Sequence, residues 1–281
     1  MRLTILRDPA GLRPLAWIHR IEARRVAAEL TRSGHTIRMV RYSEHGVQSL
    51  PPEPLLLRVS DPVMLAASQA LTRAGRHYFG PRAAVMARCY DKYEASRFAS
   101  SHGVDCPATT LATEVRDLSY PMILKPRSGS DSLGLRILRK GPIPRHLLSA
   151  RNIVQEQIRG MELTVGLIRK RPGHPLRLFL PERTPYSFAR KYFCTPRREA
   201  LEDHALSMRV RDTATRAAEI FEINWAARVD FIYDPRSDRL CFLECDVAPL
   251  VDPSSTFSAS LAAAGVGRAE QLALLVAGAG A

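Results

Sequence analysis

Residues 225–247, WAARVDFIYDPRSDRLCFLECDV, constrain the fold more than any other stretch, because two strand-like runs flank a Pro/Ser/Asp turn at 235–239. Joined as an antiparallel hairpin, they set Asp230 opposite Glu244 and Arg228 opposite Asp246. A strand alternates its side chains with period two. Phe242, Glu244 and Asp246 are therefore expected on one face, and Cys241, Leu243 and Cys245 on the other. Arg228, Asp230 and Ile232 share a side in the same way. Three carboxylates and one guanidinium gather on one face, and burying like charges together is costly unless a cation lies between them. A hard cation such as Mg²⁺ takes oxygen ligands, commonly one or two carboxylates with phosphate oxygens and water. An ion-pair network around Arg228 with one acid protonated is the structural alternative.

The flanking sequence reads as alternating strands and helices. RLTIL, a helical stretch over 15–32, TIRMVRY, PLLLRV and a helix over 61–74 form a small α/β unit with a parallel sheet. SLPPEP at 49–54 is a loop by its prolines. A helix follows in YDKYEASRFASSHG, closed by Gly103. From residue 120, YPMILKPRSGSDSLGLRILRK reads as a strand, a polar loop and a second strand. NIVQEQI, GMELTVGLI and HPLRLFLP add three more strands, and a long helix spans about 203–222.

Bulk composition is that of a folded globular chain: 281 residues, 46% hydrophobic and 25% charged. No run approaches a membrane span, and Asp8 and Pro9 interrupt the start where a secretion signal needs an apolar core, so a cytoplasmic location is expected. The five cysteines form no CxxC pair and read as reduced thiols. Isolated His19, His35 and His77 read as surface or satisfied core residues. A net charge of +13 attracts phosphate non-specifically, but the basic residues are spread along the chain with no nucleic-acid motif to concentrate them, which argues against a nucleic-acid partner.

Among 41 basic residues, 36 are arginine and five are lysine: Lys92, Lys125, Lys140, Lys170 and Lys191. Where this chain departs from arginine, a compact ammonium touching a phosphate is one reason. Lys125 ends a strand and leads into the Gly/Ser loop containing Ser128 and Ser130, whose small residues let backbone N–H groups approach an anion. Together with the carboxylate hairpin, this gives cation, phosphates and ammonium in one site.

The order of YDKYEASRFASSHGVDCPAT, YPMILKPRSGSDSLGL, NIVQEQIRGMELTV, ARKYF and ARVDFIYDPRSDRLCFLECDVAP resembles the ATP-grasp superfamily. Its D-alanine–D-alanine ligase-like and ribosomal-modification ligase-like branches are the nearest in pattern. The resemblance implies an α/β (α+β) ATP-grasp fold with an N-terminal pre-ATP-grasp domain at 1–88, a lid subdomain at 89–158 and a metal-bearing subdomain at 159–281. It implies ATP and Mg²⁺, or Mn²⁺ in its place, and carboxylate and amine substrates joined through an acyl phosphate. By position, Lys92, Lys125, Ser128, Ser130 and Lys191 are expected at the phosphates. Gln155, Gln157 and Ile158 are expected at adenine, and Glu162 at the ribose. Asp230, Glu244 and Asp246 are expected as metal ligands, with Arg228 and Lys191 catalytic. Ser254 and Ser255 match a substrate-carboxylate position or a helix cap. Asp246 stands where the family usually has Asn, and Leu250 where D-alanine ligases have Gly. A small-molecule kinase of the same fold, or a nucleotide- or nucleic-acid-binding module, are the competing functions. A homodimer is the default assembly.

Overall fold

The computed structural model describes residues 1–9, 16–115, 118–129, 134–179 and 197–278. The chain opens with β1 (Arg2–Arg7), α1 (Ala16–Arg32), β2 (Thr36–Arg41), β3 (Leu55–Arg58), α2 (Asp61–Arg73) and β4 (Tyr78–Phe79). These strands form a parallel sheet in the order β2-β1-β3-β4. Both faces are covered, which is why LLL is an unbroken apolar run and LTIL is apolar apart from the buried Thr4. Leu3, Ile5 and Leu56 pack under Ala23, Val26 and Leu30 of α1. Leu6, Leu55 and Leu57 pack on the other face with Met64, Ala67 and Leu71 of α2.

Two short helices follow, α3 (Ala83–Tyr90) and α4 (Lys92–Ser101). The Asp91 carboxylate breaks them apart by capping α4, accepting from the N–H groups of Tyr93 at 3.1 Å and Glu94 at 3.2 Å. The expected helix is α4; α3 is an addition. A second, antiparallel sheet comprises β5 (Thr109–Leu111), β6 (Met122–Pro126), β7 (Arg136–Leu138) and β8 (Asn152–Glu156), ordered β5-β8-β6-β7.

The third sheet is antiparallel and holds the hairpin. It contains β9 (Met161–Ile168), β10 (Arg171–Pro172), β11 (Leu176–Phe179), β12 (Arg197–Ala200), β13 (Ala226–Asp234) and β14 (Arg239–Asp246), ordered β12-β11-β9-β13-β14 with β10 on β9. Between β12 and β13 runs α5 (His204–Ile220), capped by Asp203, and after β14 come α6 (Thr256–Ala263) and α7 (Arg268–Leu275). Helix α5 lays Val210, Ala214 and Ala217 on Leu163, Val165, Val229 and Phe231. A Cβ on Gly166 would lie 2.6 Å from the Phe257 carbonyl oxygen, so glycine is what lets α6 close onto β9.

The hairpin keeps the expected register where the charges are: Arg228 faces Asp246 and Asp230 faces Glu244. Between Asp230 and Phe231 it shifts, so that Phe231 faces Phe242 and Leu243 is the extra residue. This corrects the simple alternation. Phe242 lies in the core with Cys245 rather than beside Glu244, and Cys241 faces Ile232. One inserted residue reverses the phase of every side chain beyond it. Among the described residues no helix is long and apolar enough to cross a membrane.

Candidate active site

Glu162 and Thr164 on β9, Arg228 and Asp230 on β13, and Glu244 and Asp246 on β14 occupy one face of three adjacent strands, since Asp230 pairs with both Thr164 and Glu244. Arg228 is the hub. Its Nε lies 3.0 Å from Asp230 Oδ1 and its Nη2 3.0 Å from Oδ2. Its Nη1 is 3.4 Å from Asp246 Oδ2, and its Nη2 is 4.0 Å from Glu244 Oε1. Burial alone would lower the Arg228 pKa, but Asp230 and Asp246, with Glu244 behind them, hold it well above its ordinary value. The Thr164 hydroxyl donates to Asp230 Oδ1 at 2.6 Å, and the Ala248 N–H to Asp246 Oδ1 at 3.0 Å.

Two ammonium groups approach the same acids from the second sheet and its flanking helix. Lys92, in the first turn of α4, places Nζ 3.9 Å from Glu244 Oε2 and donates to the Gly129 carbonyl. Lys125, at the end of β6, donates to Gln155 Oε1 at 2.9 Å, and Gln155 in turn donates to Thr109 Oγ1 at 2.8 Å. Burial pushes the Lys125 pKa down to about 8; Glu244 opposes the shift and Lys92 adds to it. Burial, then the charges of Asp230 and Glu244, push Glu162 up to about 7. Both shifts come first from burial, and at Glu162 the neighbouring carboxylates add to it, so a bound cation would relieve the crowding of like charge there.

Lys92, Lys125, Gln155, Glu162, Arg228, Asp230, Glu244 and Asp246 thus converge. Ser128 bridges to Asp91 at the cap of α4, which brings the loop to the same helix start. Gln157 is on the connection from β8 to β9 with its Oε1 buried and unpartnered among the described residues, and Ile158 follows it. Ser130 and Lys191 lie outside the described residues. Ser255 caps α6 by accepting from the Ser258 N–H at 3.1 Å, and the Ser254 hydroxyl donates to Asp252 at 2.7 Å. Sequence reasoning missed Thr164, although period-two spacing from Glu162 marks it. It also missed Arg127, whose guanidinium holds Asp91 at 2.7 Å and Glu94 at 3.2 Å.

All the acidic donors are hard oxygens, but Arg228 sits among them, and among the described residues no three His, Cys, Asp or Glu side chains converge as a metal cage. The set fits a cation held by one or two carboxylates and completed by phosphate oxygens.

The model of the ATP-grasp domain matches residues 89–246. D-alanine–D-alanine ligase of Gluconobacter oxydans is 29% identical over 164 residues, 54% of this chain and 54% of that protein. That of Thermotoga petrophila is 28% identical over 210 residues, covering 68% and 67%. The chain thus spans only about half the length of the first relatives it matches. Among solved structures, D-alanine–D-alanine ligase of Bacillus anthracis superposes with a TM-score of 0.81 at 18% identity over 98% of this chain and 96% of that one. VanG D-Ala:D-Ser ligase of Enterococcus faecalis superposes at 0.78 with 14% identity, covering 98% of each. At such identities the superpositions speak for the fold. The domain match, spanning more than half of the chain and both lysines, the hub arginine and every acid of the cluster, makes the chain a member of the ATP-grasp domain family.

Proposed function

We propose that the chain is an ATP- and Mg²⁺-dependent carboxylate–amine ligase. A substrate carboxylate oxygen attacks the γ-phosphorus of ATP and releases ADP. The resulting acyl phosphate is attacked by an amine nitrogen, which loses a proton as the amide forms and inorganic phosphate leaves. The observation that carries the reading is the Arg228 hub: one guanidinium among three carboxylates, facing Lys92 and Lys125 across the site.

Lys92 and Lys125 neutralise phosphate charge, with Ser128 beside them; Ser130 and Lys191, outside the described residues, are assigned to the phosphates by the family pattern alone. Gln155, Gln157 and Ile158 line the base, and Glu162, held near neutrality in pKa, meets the ribose hydroxyls. Asp230, Glu244 and Asp246 would supply the carboxylate oxygens that hold Mg²⁺, and the ion would neutralise charge on the transferring phosphoryl group. Arg228 then turns towards the oxyanion that develops at the reacting carbonyl. Ser254 and Ser255 are the substrate-carboxylate candidates.

The test is direct. Purified protein with ATP, Mg²⁺ and either D-alanine or pooled amino acids should release ADP and phosphate, and hydroxylamine should trap a hydroxamate. A kinase yields ADP without a hydroxamate. Silence with every carboxylate and amine pool would sink the ligase reading.

A further inference from the structure

At the carboxyl end of the N-terminal sheet, the face beneath α1 ends in a row of arginines. Parallel register places Arg7 beside both Arg41 and Arg58 on neighbouring strands. The rows before them on that face are apolar: Leu3 beside Ile37, then Met39, Ile5 and Leu56. Three like charges side by side repel, and Glu22 pairs with only one of them, Arg58.

Arg58 is 1% exposed and is held by Glu22, whose Oε1 accepts from its Nη2 at 2.7 Å. Its Nη1 is buried without a hydrogen-bond partner among the described residues, and so are Arg7 Nε and His19 Nδ1. Asp8, next in the chain, is spent on Ser60, accepting from its N–H at 3.0 Å and its hydroxyl at 2.8 Å. Burial, then Arg41, Arg24 and Arg20, lower the Arg7 pKa, so the local field is positive.

The row is tied to the acid cluster. Arg58 Nη2 donates to the Pro249 carbonyl at 2.9 Å, and the Val251 N–H donates to Glu22. Pro249 is three residues beyond Asp246, a reach of about 11 Å at most, and neighbouring strands add about 4.8 Å each. In open parallel sheets, ligands bind outside the carboxyl ends of the strands.

We propose that Arg7, Arg41 and the Arg58 Nη1, which has no partner among the described residues, bind a second anionic group on the substrate, so that the ligase takes a small amino acid carrying an extra carboxylate or phosphate. This deepens the ligase reading and rests on it.

The experiment compares aspartate, glutamate, phosphoserine and alanine, in both enantiomers, as substrates by ADP release and as ligands by calorimetry. The expected result is preference for an acidic amino acid. Arg7→Gln should raise its KM about tenfold, the usual worth of a charge-assisted hydrogen bond, with kcat and the KM for ATP retained. Arg41→Gln should have a smaller effect. Arg211→Gln, on the exposed side of α5, should change nothing and so controls for the overall charge. Aspartate or glutamate against phosphoserine decides which anion is read. If alanine binds as well as the acidic amino acids, or Arg7→Gln leaves acid binding intact, the subsite is wrong. Arg7-dependent acid binding without ADP release would keep the subsite and remove the ligase reading instead.

Discussion

The molecule builds two arginine–carboxylate assemblies with opposite imbalances. On β13 and β14, Arg228 is outnumbered by Asp230, Glu244 and Asp246, and further positive charge comes from Lys92 beside Glu244, with room for a bound cation. At the end of the N-terminal sheet, Arg7, Arg41 and Arg58 outnumber Glu22, and the deficit calls for an anion. A balanced buried pair is a structural device, whereas an unbalanced one leaves a charge for a ligand to complete. The Glu22–Arg58 pair serves both purposes, because it also holds the loop that follows Asp246.

The comparison breaks most visibly at that pair. Arg58→Met strands the Glu22 carboxylate at 2% exposure, and we expect a loss of about 3–5 kcal/mol in denaturant unfolding. Glu22→Leu added to it should restore much of the loss. If the double variant is as unstable as the single one, the pair is not what the loop depends on.

Arg228→Met should cost turnover about 10²–10³-fold, the usual price of removing one group that stabilises an oxyanion. Binding of a fluorescent ATP analogue should fall far less. Equal losses in both measurements would mean that Arg228 only holds the acids apart.

Asp246→Asn keeps an oxygen for the Ala248 N–H and for a cation, and weakens the pull on Arg228. A fall within about tenfold in rate is expected, since the bidentate contact of Arg228 is to Asp230. A loss as large as that of Arg228→Met would give the Asp246 charge a part in the chemistry.

A pH dependence sharpens the acid-rich side. Glu162 has its pKa raised from 4.5 to about 7, so its contribution to the stability of the ligand-free protein is complete below 4.5 and is lost as pH rises through about 7. Melting temperature should therefore decline across that window, and Glu162→Gln should flatten the decline. An unchanged slope would assign it to another group.

The smallest effect is expected at Arg25, whose guanidinium reaches Asp252 at 2.6 Å from an exposed position. Arg25→Gln should leave the melting midpoint unchanged, because solvent screens such a pair.

Much of the acid-rich site was legible because it is local. The turn at 235–239 and the period-two pattern set the register that pairs Asp230 with Glu244; the scarcity of lysine flagged all five lysines without choosing among them, the Gly/Ser loop singled out Lys125 and the family resemblance Lys92, and both sit by Glu244. The bulge was hidden, since Phe242 and Leu243 are both apolar and hydrophobicity does not mark which is the extra residue. Arg228 was expected against Asp246, but its closest partner is Asp230, two residues along its own strand. Helix α3 went unread because AAVMARCY is short and runs directly into the Asp91 cap. His19 was read as surface or satisfied core. It is buried, but its Nδ1 lacks a partner among the described residues.

The sequence by itself determined most of the strand and helix order, the pairing of the charged residues in the hairpin and the residue types of the acid cluster, because turns and periodicity act over a few residues. Only the tertiary structure decided that residues 7, 41 and 58 form one row, since parallel strands are joined by long crossovers and their mutual register depends on helices packing across the sheet. It also decided that a buried glutamate in the first helix would meet the loop after Asp246, a pairing set by how the sheets stack.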